Sequence, residues 1–190
     1  NLYINLSEEK TVGKLTYLPR QGSGNGITNG RITEANIYVS NSDTADASTI
    51  TDWEKVTTVK WDNNADKKEV MFSPKMAKHI RIEVKHSAGN QEDTYISAAE
   101  IGVYEATEEA GTPAEEYTAL PASALKGTAD SVEMSGESGG TQGKAEQAVD
   151  GKEDTYWHSQ YKPSNNVVLN QDDSTKNKNN NYYVQLDAAY

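Results

Sequence analysis

The sequence predicts an all-β protein, an antiparallel β-sandwich, and three observations carry that prediction. Apolar and polar residues alternate with period two along most of the chain. Clusters of Gly, Asn, Asp and Ser separate the alternating runs. Apolar spacing of the helical kind is almost absent, and many short strands with turns between them read as a sandwich.

The runs come in this order. Leu2-Tyr3-Ile4-Asn5-Leu6 puts Leu2, Ile4 and Leu6 on one face, because successive strand side chains point to opposite sides. Val12 to Tyr17 is a second run and Ile32 to Val39 a third. Val56 to Trp61, Glu69 to Phe72 and His79 to Val84 follow, the last with Ile80, Ile82 and Val84 inward. Ile101 to Tyr104 closes the series. Turn signals stand between them at Gly22 to Gly30, Asn41-Ser42-Asp43, Asp62-Asn63-Asn64 and Gly89-Asn90.

Residues 106–118 then change character. They are acidic, small and poor in apolar side chains, and read as a linker, with a short helical turn as the alternative. After them Leu125 to Val132 resembles a strand, residues 135–143 a Ser/Gly loop, and residues 170–181 a polar Asn/Lys/Asp loop. A final alternating strand runs from Tyr182 to Leu186. Asn1 to Ser7 and Asn181 to Asp187 align with the same apolar and polar positions, an internal repeat at the two ends.

Composition narrows the function. The chain has 190 residues and a net charge of −11, which argues against a phosphate backbone as partner, since that needs clustered Lys and Arg. Cysteine is absent, so no disulfide framework exists and any staple is a metal or packing. No apolar run approaches the ~18 residues of a membrane span. Tyrosine (11) far outnumbers phenylalanine (1), giving aromatics with a polar end suited to a surface or a site rim. There is no Gly-x-Ser-x-Gly, no His-Glu-x-x-His and no phosphate loop, and His79 and His86 lack ligand spacing; an enzyme is not expected.

Several segments resemble the discoidin or coagulation-factor-5/8 type C fold, in the branch known as family 32 carbohydrate-binding modules. They are Leu15-Thr16-Tyr17-Leu18-Pro19-Arg20-Gln21, Asn29-Gly30-Arg31-Ile32 through Ile37-Tyr38-Val39-Ser40, Trp53, and Lys78 to Ile82. Tyr95-Ile96-Ser97-Ala98-Ala99-Glu100-Ile101 resembles the family's closing motif. Ala148-Val149-Asp150-Gly151 with Thr155-Tyr156-Trp157-His158 resembles its opening one. No single motif is decisive, but together they cover most of the chain. The resemblance implies a jelly-roll, galactose-binding-domain-like sandwich.

The motif order is inverted, closing before opening. That order implies a cut through two tandem modules, with residues 1–105 the rear part of one and residues 119–190 the front part of the next. Neither part alone is a complete sandwich, and an open edge invites aggregation. A linker of this length, reaching ~3.3 Å per residue, can join termini that lie close together, so the chain either closes on itself as a circularly permuted module or swaps halves with a second copy.

The resemblance also implies two sites. A structural Ca²⁺, which takes six to eight oxygens, would be held by side-chain oxygens of Asp150, Thr155 and Glu100 and by carbonyls of Ala99, Gln147 and Lys152. A sugar of terminal galactose or N-acetylgalactosamine type would be gripped by His158 and Arg20 near its axial hydroxyl, and by Asn29 or Asn25. Tyr95 would stack on the sugar ring. The expected role is a non-catalytic glycan-binding region accessory to a glycoside hydrolase, secreted or at a bacterial cell surface. The alternative is an adhesion or protein-docking module that binds no sugar.

Overall fold

The computed structural model describes residues 1–24, 26–89, 92–106, 117–133 and 141–159. The expected strand Tyr182 to Leu186, its repeat of the N-terminal segment, and Asn25 lie outside these residues.

Strand β1 (Leu2–Leu18) is continuous where the alternation predicts two strands. Its buried apolar phase falls on Leu2, Ile4, Leu6 and Val12, then changes parity to Leu15 and Tyr17. A parity change turns inward side chains outward unless the backbone absorbs an irregularity. Gly13 is where it does so: pairing with β4 (Lys68–Ala88) passes from Val12↔Lys75 to Lys14↔Met71. Strand β4 likewise unites the two expected runs Glu69 to Phe72 and His79 to Val84.

A second shift, from Asn5↔His79 to Lys10↔Ala77, is a further irregularity in the β1–β4 ribbon. The ends of the ribbon have different neighbours. Leu2–Leu6 pair with β8 (Leu125–Ala129), and His79–Ala88 pair with β2 (Arg31–Ser40), which pairs with β3 (Glu54–Lys60). Val12–Leu18 pair with β6 (Glu100–Ala106), which pairs with β7 (Tyr117–Ala119). Strands that change layer through bulges make the corners of such packings. All of these pairings are antiparallel.

Among the described residues a large apolar core is joined by a smaller cluster of Tyr3, Ala47, Ile50 and Trp53. Leu2, Ile4, Ile37, Ile80 and Ile82 from one side meet Val12, Leu15, Ile101 and Val103 from the other. Ala129, Val132, Ala145, Ala148, Val149 and Trp157 belong to the same cluster, so the later part of the chain fills the core built by the earlier part. Each buried Leu, Ile or Val contributes roughly 1.5–3 kcal/mol.

The acidic stretch expected as a linker over 106–118 is narrower. Ala106 ends β6, while Tyr117 and Thr118 begin β7, paired Ala106↔Tyr117 and Glu105↔Thr118; residues 107–116 lie outside the described ones. The physical reason is Gly13: a Cβ there would come within 2.9 Å of the Tyr117 ring, so the missing side chain makes the seat for that ring.

Tyr17 anchors the site described below. Its hydroxyl donates to the Ser97 carbonyl and accepts from the Ile32 N–H, both at 3.0 Å, tying β1 and β2 to the segment before β6. Burial pushes its phenol far above the ordinary value, so it stays protonated and donating. Tyr17→Phe therefore leaves a buried N–H and a buried carbonyl short of a partner, and should cost about 1–3 kcal/mol in urea denaturation. A change under ~0.5 kcal/mol would show that the hydroxyl ties nothing together.

Candidate functional site

Two very short strands, β5 (Ser97–Ala98) and β9 (Trp157–His158), pair antiparallel as Ser97↔His158 and Ala98↔Trp157. The ladder continues into Ser159, whose N–H donates to the Ile96 carbonyl at 2.7 Å while its hydroxyl accepts from the Ile96 N–H at 2.7 Å. On the other side the Gly143 N–H donates to the Tyr156 carbonyl at 2.9 Å, and the Glu133 N–H to the His158 carbonyl at 2.8 Å. The segment 156–159 is thus held along both edges. Because strand side chains alternate, Trp157 enters the core, and Tyr156 and His158 point to the opposite face.

Around this ladder the structure brings Tyr95 to His158, with Arg20 and Asn29 tied to it through Tyr156 and Ser97. The Tyr95 ring lies 5.9 Å from the His158 ring at 49°. His158 is recessed, at 2% exposure, with Nδ1 2.6 Å from the Ser159 carbonyl oxygen. An Nδ1–H given to that carbonyl leaves the neutral imidazole with its lone pair on Nε2, an acceptor for a hydroxyl hydrogen.

Arg20, just past the end of β1, is buried and donates from Nη2 to the Gly26 carbonyl. The same carbonyl accepts the Asn29 N–H at 3.0 Å, so Arg20 and Asn29 share one anchor. The Asn29 carbonyl accepts from the Ser97 hydroxyl at 3.0 Å, which docks the loop on β5. Glycine is required for this approach at Gly30. It sits at φ +85, and a Cβ would come within 2.8 Å of the Ile96–Ser97 backbone.

Sequence reasoning missed Tyr156. Its ring lies under the Arg20 guanidinium, 5.0 Å from centroid to Cζ, and its N–H donates to Gln142 Oε1 at 3.2 Å. The available signal was its position two residues before His158, hence on the same face of an extended segment.

Of the expected metal ligands, Glu100, Asp150, Lys152 and Thr155 meet at the other end of the β5–β9 ladder. Glu100 follows Ala99 directly after β5, and its Oε2 accepts the Gly151 N–H at 3.2 Å. Asp150 accepts from the Thr155 hydroxyl on both oxygens at 2.9 Å and from the Lys152 N–H at 3.0 Å. The Thr155 hydroxyl also lies 3.2 Å from the Lys152 carbonyl. Gln147 spends its side chain on Thr141, Gln142 and Lys144, so only its backbone carbonyl remains a candidate ligand.

The electrostatics suit a cation. Burial, and after it the negative charge of Asp150, push the Glu100 carboxyl up to about 7, against the N–H donors of Gly151 and Lys152 that stabilise its ionised form. Two like carboxylates, one half-buried, relax when a cation joins them. The donor set is all oxygen, as Ca²⁺ requires. Among the described residues no group of three or more His, Cys, Asp or Glu side chains converges, so carbonyls and the Thr155 hydroxyl must complete any coordination. Among these residues, too, no helix is long and apolar enough to cross a membrane.

The family model for the F5/8 type C domain matches residues 1–101. Solved structures similar to this chain are family 32 carbohydrate-binding modules from Clostridium perfringens. One, from NanJ in complex with galactose, is 30% identical at TM-score 0.42, covering 54% of this chain and 64% of that one. The module CpGH89CBM32-5, in complex with GalNAc-β-1,3-galactose, is 26% identical at TM-score 0.39, covering 50% and 58%. CBM32-3 from a family 31 glycoside hydrolase is 25% identical at TM-score 0.46, covering 54% and 64%. The chain therefore spans less than two thirds of the length of each of these structures. No curated protein sequence matches.

Proposed function

The chain belongs to the F5/8 type C domain family, whose members are typically non-catalytic binding domains, and from that premise we propose that it binds glycans ending in galactose or N-acetylgalactosamine. The observation that carries this reading is the gathering of Arg20, Asn29, Tyr95 and His158 around one two-residue ladder. An axial hydroxyl both donates and accepts, so it suits a guanidinium donor beside an imidazole acceptor. The half-buried Tyr95 ring offers a face to the apolar side of the sugar. Small, mostly apolar sites with a few directed polar groups are how such ligands are oriented.

Calorimetric titration tests it. Galactose and N-acetylgalactosamine should bind and glucose bind less well, and Tyr95→Ala should weaken galactose binding by roughly three- to tenfold through the lost ring contact. No heat with any glycan would leave the protein-docking alternative. Equal binding by Tyr95→Ala would put the site elsewhere.

The acidic loop is read as a structural calcium site, with Asp150, Thr155 and Glu100 offering side-chain oxygens and Ala99, Gln147 and Lys152 offering carbonyls. A calcium ion there would supply charge neutralisation and tie residues 99–100 to residues 147–155. Calcium at a hundred times its dissociation constant should add about 2.7 kcal/mol to stability, visible as a raised melting temperature that Glu100→Gln removes. A melting curve indifferent to calcium would sink this assignment.

The inverted motif order supports reading residues 1–105 and 119–190 as parts of two tandem modules, here closing on each other as a permuted domain. A swap between two copies would use the same contacts. The same reading makes the protein an accessory region of a secreted or cell-surface bacterial glycoside hydrolase, raising local concentration at the substrate.

A further inference from the structure

Arg20 and His158 come from opposite ends of the described chain, yet gripping one hydroxyl demands a fixed spacing between them. An arginine side chain carries about 2 kcal/mol of rotamer entropy, so a binding arginine must be held in place before the ligand arrives. The contacts named above show two holds on Arg20. One is the Gly26 carbonyl, which belongs to the same loop as Asn29. The other is the Tyr156 ring, 5.0 Å from the guanidinium carbon and two residues from His158 on the same face. Of these two, the second links Arg20 to the segment that carries His158. Tyr156 is itself fixed, its carbonyl by the Gly143 N–H at 2.9 Å and its N–H by Gln142 Oε1 at 3.2 Å.

We propose that Tyr156 is a positioning residue for sugar binding: its ring holds the Arg20 guanidinium at the spacing from His158 that an axial hydroxyl needs. This rests on the galactose reading of the site, and it adds a specificity determinant. A sugar with an equatorial hydroxyl at that carbon gains less from the fixed spacing, so loosening Arg20 must reduce discrimination as well as affinity.

The experiment compares Tyr156→Phe and Tyr156→Leu in the full chain, with Tyr104→Leu as control. Tyr104 makes a similar ring contact with Lys14, on β6. Tyr156→Phe keeps the aromatic face and should bind galactose within about twofold of wild type. Tyr156→Leu should bind roughly three- to thirtyfold more weakly, with a reduced galactose-to-glucose ratio, and Tyr104→Leu should change neither. Adding Tyr156→Leu to Arg20→Ala should have no further effect, because both act through one guanidinium. Full additivity, or equal loss in the Phe and Leu variants, overturns the proposal.

A readout without sugar separates this from the parent reading. The Arg20 Nε–H proton resonance should show a ring-current shift in wild type and Tyr156→Phe that disappears in Tyr156→Leu. If wild type binds no glycan the sugar reading falls, and a resonance unchanged in Tyr156→Leu overturns the positioning role on its own.

Discussion

Trp157→Ala should remove about 3–5 kcal/mol of stability, the largest single loss expected among the described residues. Trp157 is 1% exposed and heads the fully buried side chains by volume. It packs in the same core as Leu2, Ile4, Val132 and Val149, and its Nε1–H donates to the Ser131 carbonyl at 3.0 Å. Alanine leaves a cavity the size of an indole ring in a core that relaxes only in part. Against a total of roughly 5–15 kcal/mol for a domain, that leaves little or nothing. The loss also reaches function, since Trp157 stands between Tyr156 and His158 in sequence and its burial sets which face they occupy. Urea denaturation followed by circular dichroism measures it. A loss below about 1 kcal/mol would mean that the segment 156–159 is not part of the core.

The second large effect is on binding. His158→Ala should weaken galactose by about 1.5–3 kcal/mol, ten- to more than a hundredfold. The imidazole is recessed beside the Tyr95 ring, with its Nδ1 2.6 Å from the Ser159 carbonyl oxygen. Removing it leaves the sugar hydroxyl and the Arg20 side without their counterpart in a place water enters poorly. Titration well below the melting temperature separates this from the stability that alanine also costs at a buried position. Affinity within twofold of wild type would remove His158 from the site.

Much of the fold is legible in the sequence because strand burial is a local, period-two property. Ile80, Ile82 and Val84 alternate cleanly and lie within β4 as expected. Where the alternation changes parity, as at Gly13, local reading breaks one strand into two. The continuity of β1 depends on the bulge that β4 permits opposite it, and a single strand's residues do not record that. The same limit hides β7. Tyr117 sits among small and acidic residues, and its strand character comes from pairing with Ala106 and seating over Gly13.

The site divides along the same line. His158, Arg20, Asn29 and Tyr95 are candidates through residue types shared with a known family, and the structure brings them to the surroundings of the β5–β9 ladder. Tyr156 escapes that route. Its part follows from contact with Arg20, a residue distant in sequence, and no spacing rule links the two. Glu100 and Asp150 are legible as an acidic pair, but the rise of the Glu100 carboxyl exists only once folding buries it beside Asp150.

By itself the sequence determined which residues can be strand, which face of each is apolar, an acidic balance that argues against a phosphate backbone as partner, and which family the motifs resemble. Only the tertiary structure decided that β1 is shared among β4, β6 and β8, and that residues 95–100 meet residues 150–159. The reason is physical. Alternation is written in neighbouring residues, whereas non-local pairing is chosen by the core that the whole chain can fill, against the entropy of closing long loops. Both candidate sites lie on contacts of that second kind.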